Sequence, residues 1–85
     1  MSLPATRRLQ IQFFAALREQ AGCASLALDT PAGTPAELYR ELQASHGLAL
    51  PPELLRVAVN ARYAAMDAPL QAGDHVVFIP PVAGG

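Results

Sequence analysis

From Arg8 the chain alternates between apolar and polar positions. Leu9, Ile11 and Phe13 fall on one parity, and Gln10, Gln12 and Phe14 on the other. A period of two predicts a strand with one buried face. Phe14 breaks the scheme by setting an aromatic ring among the glutamines. "ALREQAG" then predicts a short helical turn stopped by Gly22, and "ASLALD" (24–29) a second short strand paired back on the first. The strongest local signal is "TPAELYRELQASHG". Thr34 caps, Pro35 suits the first helical position, Glu37 follows the cap by three as in a capping box, and Gly47 ends the helix. Leu38 and Leu42 lie one turn apart on a single face, with Tyr39 beside them.

"LALPPELL" is a connection broken by prolines. After it, "RVAVN" (56–60) alternates with Val57 and Val59 inward, and "ARYAAM" adds another short strand. "APLQAGD" turns at Gly73 and Asp74. "HVVFI" is the last strand, with Val76 and Phe78 facing opposite to Val77 and Ile79. Two strands, a helix and further strands predict an α+β fold, a mixed sheet with one main helix packed on one face. The helix covers only that face, so the other meets solvent or a partner. Phe14, Tyr63, Val77 and Ile79 are the candidates for this outer face, and an apolar patch there points to a protein partner.

The 85 residues leave room for one domain (8–79), after a lead-in without period (1–7) and before a short tail (80–85). An apolar share of 52% against 15% charged residues is the composition of a folded chain. The net charge of −1 offers no attraction to nucleic acid or to an anionic membrane. All six basic residues are arginines, so no side-chain amine exists for Schiff-base chemistry or for accepting an isopeptide bond. A single cysteine, Cys23, excludes an internal disulfide. It reads as a small apolar filler, with a reactive thiol as the rival reading. No stretch has the form of a signal peptide, and the longest apolar run, Phe13 to Leu17, is too short to span a bilayer. A soluble, cytoplasmic domain is expected.

Local motifs for catalysis are missing from the body. There is no phosphate-binding or dinucleotide glycine pattern, and His46 and His75 stand without ligands at metal-binding spacing. Glu37 and Glu41 flank Arg40 and read as an exposed helix surface. No metal and no bound cofactor are expected. The tail "FIPPVAGG" is different. Pro80 and Pro81 cannot donate to a sheet ladder and favour a stiff extended segment, leading through Val82 and Ala83 to Gly84 and Gly85. From Pro80 to Gly85 the reach is about 20 Å, at roughly 3.3–3.6 Å per residue. Two glycines present bare backbone and a carboxylate that fit a narrow channel in another protein. A carboxylate must be activated before it donates an acyl group. A partner using ATP could make the acyl-adenylate, and a sulfur donor would then leave a thiocarboxylate. A loose end without function is the alternative that the local sequence leaves open.

Four features occur in order and at characteristic distances: "FFAALREQAG" (13–22), the capped helix, "VAVN" (57–60) and "APLQAGDHVVFIPPVAGG" (68–85). Together they resemble the ubiquitin-like β-grasp sulfur carriers, and among these the small subunits of molybdopterin synthase, over nearly everything from Arg8 to Gly85. The resemblance implies that Gly85 carries the thiocarboxylate. An adenylating enzyme similar to ubiquitin-activating enzymes would form the adenylate with ATP, and a sulfurtransferase would supply sulfur. The tail 80–85 would enter the large synthase subunit and deliver sulfur to cyclic pyranopterin monophosphate, building the dithiolene that holds molybdenum. Phe14, Arg18, Tyr63, Val77 and Ile79 would form the partner interface, in an assembly of two small and two large subunits. Three rivals share parts of this pattern: a carrier for thiamine thiazole synthesis, a protein modifier that ends in an isopeptide bond, and an interaction module with an idle tail.

Overall fold

A computed structural model describes residues 5–81. Strand β1 (Arg7–Phe13) leads directly into helix α1 (Ala15–Ala21), and β2 (Ser25–Thr30) returns antiparallel along β1. Helix α2 (Pro35–His46) and a single 3-10 turn (Pro52–Leu54) precede the hairpin β3 (Arg56–Val59) and β4 (Arg62–Ala64). The last strand, β5 (His75–Ile79), inserts between β1 and β3, giving the sheet order β2-β1-β5-β3-β4. It runs parallel to β1, with Phe13 beside Phe78, and antiparallel to β3. This is the α+β mixed sheet expected from the pattern, with a second, shorter helix packed against β1 and β5.

Alternation decides the faces. Leu9, Ile11, Phe13, Val57, Val76 and Phe78 all point to one side and are buried with Leu38, Tyr39 and Leu42 of α2 and Leu17 of α1. The Tyr39 ring leans on Phe78 at 5.2 Å between centroids, and its hydroxyl donates to the Leu50 carbonyl at 2.7 Å. Burial pushes the Tyr39 phenol above its ordinary pKa, so it remains a protonated donor.

Several local expectations shift. Arg7, placed in the lead-in by its lack of period, is the first residue of β1 and pairs with Thr30. Residues 1–4 of that lead-in lie outside the described residues. The β1 strand stops at Phe13, and Phe14 becomes the N-cap of α1. The capping box is displaced by one residue. Thr34 Oγ1 accepts from the Glu37 amide at 3.2 Å, but Glu37 Oε1 accepts from the Gly33 amide at 2.8 Å. Glu41 is only partly exposed, because the buried Thr30 hydroxyl donates to it. Glycines do stop both helices, Gly22 at φ 77° and Gly47 at φ 68°.

Asn60, assigned to the strand by alternation, instead opens the β3–β4 turn with Ala61. Both have positive φ, 53° and 70°, the mark of a type I′ hairpin turn. Asn60 suits this conformation and its side chain is fully used: Oδ1 accepts from the His75 amide and Nδ2 donates to Asp74 Oδ1, each at 2.9 Å. Ala61 has no such compensation. The left-handed region costs an L-residue about 1–2 kcal/mol, of which glycine's extra chain entropy takes back about 0.5–1. Ala61→Gly is therefore expected to stabilise the domain by up to about 1 kcal/mol, raising Tm by about 4–8 °C per kcal/mol in a scan. An unchanged or lower Tm would contradict the strain at this turn.

Candidate functional site

The parallel pairing of β1 with β5 sets the geometry of the site. Both strands end at the same rim of the sheet, so the chain leaves β5 beside the point where β1 turns into α1. Pro80 has left the ladder but is still buried, and Pro81 is exposed. The departure point is thus fixed by packing up to Pro80. Val82, Ala83, Gly84 and Gly85, on which the chemistry was expected, lie outside the described residues.

Around that rim lies the open side of the sheet. Strand register brings Gln12, Val77, Ala58 and Tyr63 into one row across four strands, on the side away from the core. Ile79 and Arg56 form the next cross-strand pair toward the rim. Val77 and Ile79 are half-buried, whereas Tyr63 is 79% and Phe14 44% exposed. Phe14 lies just past the end of β1, still on extended backbone (φ −119°, ψ 151°). It caps a helix without any side-chain hydrogen bond, and the next residue, Ala15, has φ 51°. An aromatic cap followed by a left-handed alanine is locally unfavourable. Arg18, one helical turn beyond Phe14, is exposed.

The body contains no acid–base or metal constellation. No three His, Cys, Asp or Glu gather to hold a metal among the described residues. His46 Nδ1 is hydrogen-bonded to Ser45 at 2.7 Å, and His75 is exposed at the start of β5. Cys23 is partly buried against the core as a free thiol. A hollow of about 540 Å³ lies against α2, lined by Pro31, Ala32, Glu37, Arg40, Glu41 and Ala44. Its two carboxylates already accept from Gly33 and Thr30. No helix of the described residues is long and apolar enough to cross a membrane.

A five-stranded mixed sheet with its last strand parallel to its first, a helix across one face and the chain leaving from the central strand is a ubiquitin-like β-grasp domain. Comparison with known proteins agrees. The ThiS family matches residues 11–85, and the chain belongs to that family. It is 37% identical over 81 residues to the molybdopterin synthase sulfur carrier subunit of Haemophilus influenzae, covering 91% of this chain and 99% of that one. Among solved structures, the complex of subunits 1 and 2 of the molybdopterin-converting factor from Helicobacter pylori includes a chain 26% identical, with TM-score 0.65 and coverage of 92% and 99%. Small archaeal modifier protein 1 of Haloferax volcanii superposes with TM-score 0.74 at 26% identity, over 92% of this chain and 99% of that one.

Proposed function

We propose that this chain is the sulfur carrier subunit of a molybdopterin synthase. One observation carries the reading: a relative of that name aligns over nearly its whole length, and the family match runs through the final glycines. The open face that surrounds the departure of the tail supports it, since a carrier must dock before it inserts its end. The Gly85 carboxylate attacks the α-phosphorus of ATP on an adenylating enzyme, releasing pyrophosphate and leaving an acyl-adenylate. The terminal sulfur of a sulfurtransferase persulfide displaces AMP to form an acyl disulfide, and a second thiol reduces it, releasing the thiocarboxylate and leaving a disulfide behind. The tail 80–85 then enters the large subunit, its sulfur bonds to a carbon of cyclic pyranopterin monophosphate as a thioester, and water hydrolyses that thioester, leaving sulfur on the pterin and Gly85 as a carboxylate. Each dithiolene takes two sulfurs, so the carrier leaves, is recharged and returns. Acid, base and pterin pocket belong to the large subunit, because the body of this chain offers no residue set for them. The assembly is a cytoplasmic heterotetramer of two small and two large subunits.

The test is the intact mass after incubation with the host's adenylating enzyme, ATP and a sulfur source. Exchange of one oxygen for sulfur, confined to the C-terminal peptide, is the expected result. An unchanged mass with active partner enzymes would sink the proposal. A second reading, protein modification, is favoured by the similarity to small archaeal modifier protein 1. It predicts instead an isopeptide bond from Gly85 to lysines of other proteins, since this chain has none.

A further inference from the structure

The open face carries an uneven charge. Its outward positions are Arg8, Gln10 and Gln12 on β1, Ser25, Ala27 and Asp29 on β2, Arg56 and Ala58 on β3, Tyr63 on β4, and His75, Val77 and Ile79 on β5. Asp29 is the only carboxylate among them, and it pairs with its neighbour Arg8 at 3.3 Å. Arg56 has no salt-bridge partner among the described residues. It is exposed, it stands directly across from Ile79, and it precedes the rim where the chain departs. Arg56 and Tyr63, diagonal neighbours on adjacent strands, border a hollow of about 330 Å³ together with Val57 and Ala64. A bare aromatic ring and an unpaired guanidinium thus share one depression, continuous with the apolar row through Val77.

We propose that the Arg56–Tyr63 hollow receives a carboxylate side chain of the large subunit, with an apolar side chain beside it resting on Tyr63. The inference rests on the carrier reading and adds to it a charge-selective contact outside the tail. Three features argue for this occupant. An arginine offers a planar fork that fits a carboxylate at two points. Tyrosine and arginine are the residue types that most often dominate protein–protein contacts. The face holds no spare acid of its own, so an acidic partner meets no repulsion here and is steered toward the rim. Once the hollow is covered, removing one member of the pair leaves the other buried and unpaired, which costs more than breaking an exposed pair.

Arg56→Glu and Arg56→Gln, measured against the full large subunit of the same host, separate the possibilities. Arg56→Glu is expected to weaken binding at least tenfold, Arg56→Gln less, and the salt dependence of the glutamine variant should be shallower than that of the original chain. Arg40→Glu on α2, away from the open face, controls for net charge and should bind as the original does. Both Arg56 variants remove an exposed side chain, so unchanged thermal unfolding is expected. If the original chain binds and Arg56→Glu binds equally well, or if Arg40→Glu weakens binding as much, the proposed contact is wrong. If the original chain fails to bind the large subunit at all, the carrier reading itself falls.

Discussion

Truncation after Ala83 is expected to leave the fold intact and to abolish sulfur loading. Among the described residues, Phe78 is the last member of the buried apolar cluster and Pro80 the last buried residue. Loss of Gly84 and Gly85 should therefore change unfolding free energy by less than about 0.5 kcal/mol. The functional loss should be complete, because the carboxylate proposed to react moves back by two residues, about 7 Å, and an alanine methyl group now flanks it. Two readouts follow from one variant: a thermal scan, and the mass of the C-terminal peptide after loading. Binding to the large subunit through the open face should weaken but persist. A truncated chain that still gains sulfur would place the chemistry elsewhere, and one that keeps every cellular role would mark the domain as a simple binding module.

The second large effect is expected at Phe78. Its side chain is fully buried on the central strand, flanked by Phe13 on β1 and Val57 on β3, with the Tyr39 ring against it. Phe78→Ala should cost about 3–5 kcal/mol, combining lost transfer energy with an unfilled cavity. A chain of this length has a total of about 4–13 kcal/mol, at 0.05–0.15 kcal/mol per residue. The variant is thus expected to be largely unfolded or to lose most of its urea midpoint. Phe78→Leu, which keeps most of the volume, should cost much less. Equal losses for the two variants would show that the aromatic contact with Tyr39, rather than the filled space, is what matters at this position.

Much of this fold is legible in the sequence. Period-two alternation placed Leu9, Ile11, Phe13, Val76 and Phe78 inside, and the capped stretch from Thr34 located α2, because these signals are local and repeated. What alternation could not place were residues at junctions. Phe14 keeps its strand parity yet caps a helix, and Asn60 keeps strand parity yet turns, each because the following alanine adopts positive φ. Nothing in alanine as a residue type announces that conformation. The fate of Glu41 was likewise out of reach, since its partner Thr30 comes from a strand eleven residues away. Strand order was equally hidden: β5 between β1 and β3 is a tertiary choice, and only that choice brings Arg56 across from Ile79. Val77 and Ile79 could be named from parity, but Arg56 was missed, although it stands on the same parity as Ala58.

The placement of β5 also bears on how the domain is born. Synthesis delivers the N-terminal portion first, yet the strand that joins the two halves of the sheet is the last of the five to emerge. Without it, β2–β1 and β3–β4 are two separate hairpin-like pairs with no ladder between them, and isolated two-stranded pairs are marginal in water. A nascent or prematurely terminated polypeptide therefore has no stable sheet. Sheet formation is thereby coupled to synthesis of β5: a molecule with its open face assembled has already made the strand from which residues 80–85 depart.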